Sequence, residues 1–219
     1  MRLTRLKMRS ILLVGGAPRI ALDAVRFISV AASGVTAVQL KENLQRRGLV
    51  AELLLGLDAS PTVVAQRYVD REQLEIALKN WIALNPTGVV VMSAAVNDYF
   101  VAHVIIDPDG TPTRLSAGAK LPSRAGAVTI RLEPASKLID QLRTWGLTGP
   151  IVGFKYEDYV TVVSAAELLR QRVGAALVVA NSLCGQRQAL VDVDGVHDFA
   201  ERAALVDSLS ARLEMLARE

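Results

Sequence analysis

Short aliphatic runs, each too short for a buried helix, alternate along this chain with longer segments of helical periodicity. The runs that predict strands are 10–14, 50–55, 88–92, 150–154 and 176–180. The segments that predict helices are 33–47, 70–84, 134–145, 163–173 and 198–217. Strands that alternate with helices favour right-handed crossovers, so the sequence predicts a three-layer α/β fold with a mostly parallel sheet.

The last strand of that sheet differs from the others. Residues 188–193 alternate apolar and polar side chains, as a half-buried strand does, and Asp194-Gly195 follows as a hairpin turn. This pattern predicts an antiparallel edge.

Composition supports one domain over residues 1–219. Hydrophobic residues make up 51% of the 219 residues, and aromatic residues make up 5%. A core built from Val, Leu, Ile and Ala suits a parallel sheet covered on both faces, and no low-complexity linker divides the chain.

The charge and the rare residue types limit the classes of partner. The formal charge is +3 with a pI near 9.2, and the arginines are scattered, so we expect no nucleic-acid partner. Cys184 is the only cysteine, and His103 and His197 are the only histidines, which argues against disulfides and a structural zinc centre. The apolar run that follows the basic N-terminus stops at Gly15, too short for a signal core. No segment suits a membrane span, so we expect a cytoplasmic protein.

Ligands of open parallel sheets bind at the carboxyl ends of the strands. This rule selects the loops that follow Val14, Met92, Phe154 and Ala180. Gly15-Gly16 would let a backbone approach an anion closely, although a glycine pair can also simply form a turn. Neither the GxGxxG spacing of dinucleotide sites nor the GxxxxGK[ST] spacing of P-loops is present.

Two interpretations are open for each of four side chains, three of them near these loops and one, Lys120, in a separate polar loop. Asp98 would accept a hydrogen bond from an amine or a ribose hydroxyl, or would cap a turn. Lys120 would close on a phosphate or remain a solvated surface charge. Asn181 would contact a ligand or cap the next turn, and Phe154 would form a binding wall or part of the core.

Five segments occur in an order that is characteristic of one family. They are Gly15-Gly16 with 23–29 and Ser33-Gly34, then Ala94-Ala95-Val96-Asn97-Asp98-Tyr99, Ala119-Lys120-Leu121, Val152-Gly153-Phe154-Lys155, and Leu177-Val178-Val179-Ala180-Asn181. Together they resemble the phosphopantothenoylcysteine synthetase family, whose motifs include GGT…IDxVRxIxNxSSG, AAVxDY, GFK and LIVAN. The GFK form is more similar to the stand-alone synthetases than to the bifunctional bacterial protein.

The resemblance implies a modified Rossmann fold, a homodimer and small-molecule substrates. It also implies that CTP or ATP activates the carboxylate of 4′-phosphopantothenate, with Mg²⁺, and that cysteine then forms the amide. Nine residues take site roles by this resemblance. Gly15 and Gly16 would line the phosphate region. Ala94, Ala95, Asp98 and Phe154 would form the nucleotide pocket, with Asn181 nearby. Lys120 would close on the phosphates, and Arg26 would shape or charge the substrate loop.

The chain also departs from the family motifs. Val30 stands where the family places an asparagine associated with the substrate and with turnover of the acyl-nucleotide, and valine lacks the hydrogen bonds of an amide. Pro122 replaces a frequent second lysine, and the loop after Gly16 has one extra residue. Alternatives are therefore activation of another carboxylate, a non-catalytic nucleotide-binding or partner subunit, and, disfavoured by the missing GxGxxG, an NAD-dependent oxidoreductase.

Overall fold

The aliphatic runs form the strands of an eight-stranded sheet in the computed structural model, which describes residues 8–107, 110–116 and 118–218. Most of the basic N-terminus, residues 1–7, lies outside the described residues. The strands are β1 (Ile11–Gly15), β2 (Ile20–Ala21), β3 (Phe27–Ile28), β4 (Ala51–Gly56), β5 (Gln66–Tyr68), β6 (Val89–Met92), β7 (Tyr99–Asp107), β8 (Thr113–Arg114), β9 (Ala127–Pro134), β10 (Ile151–Glu157), β11 (Leu177–Ser182), β12 (Gln188–Asp192) and β13 (Gly195–Phe199). The helices are α1 (Val35–Arg46), α2 (Arg71–Leu84), α3 (Leu138–Gln141), α4 (Val162–Val173) and α5 (Arg202–Arg218).

The sheet has the order β13-β12-β11-β10-β6-β1-β4-β5. Neighbours from β5 to β11 pair in parallel, whereas β12 and β13 are antiparallel. The predicted α/β class, the mostly parallel sheet and the antiparallel edge are confirmed. The hairpin between β12 and β13 turns at the predicted Asp194-Gly195.

Both faces of the sheet are covered by helices, which makes three layers. In β1, Leu12 and Val14 belong to the core that the sheet shares with α2, α3 and α4, while Ile11 and Leu13 belong to the core shared with α1 and α5. Because neither face meets water, β1 is buried along its whole length and consists of apolar residues and glycine.

Three helices have boundaries that differ from the sequence prediction. Pro134 ends β9 and does not begin a helix; α3 begins only at Leu138 and ends at Gln141, before the predicted end at residue 145. Asp198 lies in β13, because hairpin pairing with β12 outweighs its helical context. The N-cap of α1 is Gly34 rather than Ser33, and Gly34 has a φ of 72° that favours glycine.

Strands β7, β8 and β9 form a separate antiparallel sheet, which we call the arm. Eight residue pairs join β7 to β9, with an irregularity between Val101 and His103. Almost every residue of β9 is exposed. None of the helices in the described ranges combines the length and the apolar character needed to cross a bilayer.

Candidate nucleotide-binding site

The loops after β1 and β6 are bonded to each other at the carboxyl edge of the sheet. The Ser93 hydroxyl donates to the Val14 carbonyl over 2.7 Å, and the Ala95 amide donates to the Gly16 carbonyl over 2.8 Å. Since β1 and β6 are neighbours in the sheet, the glycine pair and the Ala94-Ala95 turn are held side by side. The structure therefore brings together two of the segments that the sequence singled out.

The loop after β4 packs against this glycine pair. Gly16 has a φ of 83°, and a Cβ built on it would lie 2.6 Å from the Ala59 Cβ. Arg67 holds the loop in place by donating to four backbone carbonyls, those of Gly56, Ala59, Ser60 and Val63. The turn at Gly16 is thus fixed by close packing as well as by its own conformation.

A cavity of about 370 Å³ opens beside the ends of β6 and β10. Four of the predicted site residues line it: Ala94, Ala95, Asp98 and Phe154. Its apolar part is completed by Met92, Val96, Leu138, Ile139, Ala165, Leu168 and Leu169. The cavity volume falls within the range of about 300–1,000 Å³ that is typical of small-molecule sites.

Four cationic side chains also line this cavity: Arg71, Lys137, Lys155 and Arg172. Three of them pair with carboxylates, namely Lys137 with Asp98 at 3.4 Å, Lys155 with Glu157 at 3.3 Å and Arg172 with Asp140 at 3.1 Å. These pairs are partly exposed, so each is weak and a bound anion can compete for the cation. The cavity thus joins an apolar wall to a positively charged rim.

Sequence reasoning did not assign these cations to the site. Lys155 gave a usable signal, because it directly follows Phe154 at the end of a buried strand. Arg71, at the start of α2, Lys137, just before α3, and Arg172, near the end of α4, follow no strand of the sheet directly. Their meeting at one cavity results from helix packing.

The side chain of Asn181 lies on the face of the sheet that α1 and α5 cover. Its side-chain oxygen accepts a hydrogen bond from the Arg202 guanidinium at 3.0 Å, and the same guanidinium donates to the Thr36 hydroxyl at 2.6 Å. Burial lowers the pKa of Arg202. Asn181 therefore joins the ends of α1 and α5 at the carboxyl edge, beside the cavity rather than in it.

Arg26 and Lys120 form a third group of site residues. The Arg26 guanidinium is bonded to the carboxylate of Asp23, and it also donates to the Leu121 carbonyl at 3.4 Å. Lys120 is exposed next to Leu121. The structure therefore brings the two predicted catalytic residues close to each other, but neither of them lines the 370 Å³ cavity.

A further sequence feature has a clear position. Val30 is exposed in the segment between β3 and α1, where the resemblance places a substrate loop.

Within the described part of the chain, no three His, Cys, Asp or Glu side chains come together as they would around a metal ion.

Comparison with known proteins extends these findings. Residues 6–204 match the profile of a family described as DNA/pantothenate metabolism flavoprotein, C-terminal domain. The coenzyme A biosynthesis bifunctional protein CoaBC of Thermococcus kodakarensis is 30% identical over 202 residues, which are 89% of this chain and 46% of that protein. The chain thus spans about half the length of this curated relative.

Solved structures share the fold. The DNA/pantothenate metabolism flavoprotein from Streptococcus pneumoniae superposes with a TM-score of 0.79 at 20% identity, covering 94% of this chain and 99% of that one. A Cab2 variant in complex with phosphopantothenate-cysteine gives a TM-score of 0.75 at 15% identity, covering 96% and 88%. A C-terminal domain of a CoaBC protein gives 0.71 at 20% identity, covering 96% of each chain.

Proposed function

The chain belongs to the DNA/pantothenate metabolism flavoprotein C-terminal domain family, and on that premise we propose that it is a nucleotide-dependent ligase that joins 4′-phosphopantothenate to cysteine. The Thermococcus relative is named for coenzyme A biosynthesis, and the Cab2 variant was solved with phosphopantothenate-cysteine. Both names support the proposal of a ligase that joins an acid to an amino acid.

The proposed reaction has two steps. A carboxylate oxygen of phosphopantothenate attacks the α-phosphorus of CTP or ATP, the bond to the β-phosphate breaks, and pyrophosphate leaves. The cysteine amine then attacks the acyl carbon, the nucleoside monophosphate leaves, and the amine proton passes to solvent. Both steps depend on positioning and on neutralised phosphate charge, so the protein needs no nucleophile of its own.

The observation that carries this proposal is the cavity with an apolar wall and a cationic rim. Phe154 and the small residues Ala94 and Ala95 would accept a flat base, and Asp98 would accept a hydrogen bond from the ribose or from an amine of the base. The four rim cations, Arg71, Lys137, Lys155 and Arg172, would neutralise the charge of the phosphates.

The remaining predicted residues take supporting roles in this proposal. Gly15 and Gly16 would admit the phosphates close to the backbone, and Asn181 would lie at the neighbouring edge. Lys120 would close on the phosphates, and Arg26 would shape the substrate loop through its bond with Asp23.

Magnesium would enter the site as the nucleotide complex. Mg²⁺ is commonly held by substrate phosphates with one or two carboxylates, and Asp98 is a carboxylate on the cavity wall. When bound, the ion would neutralise phosphate charge beside the rim cations.

Pyrophosphate release tests the proposal directly. The purified protein is assayed with Mg²⁺ and CTP or ATP, with and without 4′-phosphopantothenate, and then with cysteine. Release that requires phosphopantothenate, followed by amide formation with cysteine, supports the ligase. Nucleotide binding without any release would favour a non-catalytic nucleotide-binding or partner subunit.

Two variants test the assigned residues. Lys120→Ala should lower kcat/KM for pyrophosphate release by about 100-fold, as loss of one transition-state donor does. Asp98→Ala should raise the nucleotide Kd about tenfold, the equivalent of one hydrogen bond. Lys79→Ala, which removes an exposed lysine paired with Glu75, is the control and should change neither value. Unchanged kinetics in Lys120→Ala would remove that residue from the reaction.

A second candidate is the same activation chemistry on a different carboxylate. Val30 favours it, because its exposed apolar side chain replaces an amide in the proposed substrate loop. Pyrophosphate release with another pantothenate-like acid, but not with phosphopantothenate, would support this candidate.

We also propose a cytoplasmic homodimer. The arm carries a row of exposed apolar side chains on β9, Val128, Ile130 and Leu132, each at least 37% exposed. Such a row suits contact with a second copy of the chain.

A further inference from the structure

Asp23 is a loop carboxylate that is almost completely buried, with a side chain 1% exposed. It lies in a tight turn, residues 22–26, which we call the Asp23 turn and which the Leu22 amide closes by donating to the Arg26 carbonyl at 2.9 Å. A buried charge is costly unless it is paired and hydrogen-bonded, so the contacts of this carboxylate indicate what it does.

The two oxygens of Asp23 have different partners. Oδ1 accepts hydrogen bonds from the amides of Val25 (2.8 Å) and Arg26 (2.6 Å), which are local contacts within the turn. Oδ2 accepts from the Arg26 guanidinium and from the amide of Leu121 at 2.8 Å. The second oxygen therefore connects the turn to a segment 98 residues away in sequence.

That distant segment is the lysine loop, residues 118–121. Its backbone is bonded to the Asp23 turn on both sides of Lys120: the Leu121 amide donates to Asp23, and the Ala119 carbonyl accepts from the Ala24 amide at 3.3 Å. Lys120 itself is exposed. The loop backbone is therefore fixed while the ammonium group is free to meet a ligand.

We propose that Asp23 is the residue that positions the lysine loop, holding the backbone of Lys120 ready for the nucleotide phosphates. This role rests on the proposed function of Lys120. Arg26 acts with Asp23, since its guanidinium contacts both the carboxylate and the Leu121 carbonyl.

The electrostatics agree with this geometry. Burial of the carboxyl opposes its ionisation, but the amides of Val25, Leu121 and Arg26 and the Arg26 guanidinium together hold the pKa of Asp23 well below its usual range. Asp23 is thus a full acceptor at neutral pH. The bond to Leu121 is charge-assisted, which makes it stronger than a bond between neutral groups.

Asp23→Asn separates the two bonds of Oδ1 from the two bonds of Oδ2. The amide oxygen can keep both bonds of Oδ1, while the NH₂ group then faces two donors, the Leu121 amide and the Arg26 guanidinium, and donors cannot bond to each other. The turn should persist and the lysine loop should be released. Asp58→Asn is the control, because Asp58 is also a loop carboxylate paired with an arginine, Arg19, and its side chain has no hydrogen bond to the lysine loop in the described part of the chain.

Two measurements follow the loop itself. In the wild-type protein, the Leu121 amide should exchange with deuterium at least about tenfold more slowly than an unprotected amide, and Asp23→Asn should remove this protection. Tryptic cleavage after Lys120 should accelerate by about tenfold in Asp23→Asn and stay unchanged in Asp58→Asn. An unprotected Leu121 amide in the wild type, or equal cleavage rates in all three proteins, would overturn the proposal.

A double-mutant cycle separates positioning from general stability. Asp23→Asn should lower kcat/KM for pyrophosphate release by about tenfold in the wild type and by clearly less in Lys120→Ala, because Asp23 acts mainly through Lys120; the loss that persists in Lys120→Ala measures the bond to Arg26. Equal losses in both backgrounds would contradict the role. If the wild type releases no pyrophosphate with any nucleotide, the ligase proposal fails, whereas the exchange and cleavage data still decide whether Asp23 holds the loop.

Discussion

At the scale of single residues, Gly16 fixes both the path of the backbone and the space beside it. It has a φ of 83°, and a Cβ at this position would lie 2.6 Å from the Ala59 Cβ and 3.0 Å from the Gly56 amide nitrogen. Gly34 has a φ of 72°, and a Cβ built on it would lie 2.9 Å from the same Ala59 Cβ. The loop after β1, the loop after β4 and the start of α1 therefore meet where no side chain fits.

Gly16→Ala should lower the free energy of unfolding by about 2–5 kcal/mol, since the left-handed backbone costs about 1–2 and the overlap about 1–3 kcal/mol. Gly48→Ala is the matched control: Gly48 has a φ of 76° but no atom within 4 Å of a built Cβ. Gly48→Ala should lose only the conformational part, about 1–2 kcal/mol. Urea unfolding measures both, and equal losses would show that crowding at Gly16 contributes nothing.

Some residues of the cavity could be predicted from sequence because they follow buried strands. Ala94, Ala95 and Asp98 come after β6, and Phe154 is in β10; the carboxyl ends of these neighbouring strands meet at one edge. Asn181 satisfies the same rule, yet its side chain bonds to Arg202 of α5, and Phe154, although it lines the cavity, also packs against the core shared with α1 and α5. Successive strand residues face opposite sides, and a strand buried on both faces gives no signal of which side holds the site.

At the scale of elements, α2 brings Arg71 to the rim of the cavity. Its N-cap is Asp70, as its position near the start of the helical pattern suggested, and the carboxylate accepts from the Gln73 amide at 2.9 Å. The Gln73 side-chain oxygen in turn accepts a hydrogen bond from the Val69 amide at 2.9 Å. These reciprocal bonds resemble a capping box and set where the helix begins.

Asp70→Ala should lower the free energy of unfolding by about 1 kcal/mol, the usual cost of losing an N-cap acceptor. Asp70→Asn should change it by no more than a few tenths of a kcal/mol, because asparagine is an equally good cap. Chemical denaturation of both variants checks the difference. A loss as large in Asp70→Asn as in Asp70→Ala would mean that the negative charge, rather than the cap, stabilises this helix.

Other element boundaries could not be predicted, because they depend on partners distant in sequence. Residues 198–217 have a helical pattern, but Asp198 pairs with Ala189 across the β12–β13 hairpin, so the helix begins at Arg202. Ser33 is a good cap by residue type, yet Gly34 takes the N-cap, since packing against Ala59 leaves no room for a Cβ there. In both cases tertiary contact outweighs local preference.

At the scale of the whole molecule, the alternation of strands and helices was enough to predict the sheet and its layers. The arm was not predicted. The pairing of β7 with β9 is non-local, because β8 and the lysine loop lie between these two strands in sequence. Within the described residues, β9 has no neighbouring strand on one side, and its apolar side chains are exposed. An exposed apolar edge of this kind favours association.

Ile130→Glu tests whether this surface joins two copies. Ile130 is 37% exposed between Val128 and Leu132 on one face of β9, and a buried unpaired carboxylate at an interface is strongly unfavourable. Light scattering should give a wild-type mass of twice 23.6 kDa, and the variant should shift toward 23.6 kDa. Thr129→Glu adds the same charge on the opposite face of the strand and should leave the dimer intact. A monomeric wild type, or equal dissociation of both variants, would show that this face of the arm is not the dimer interface.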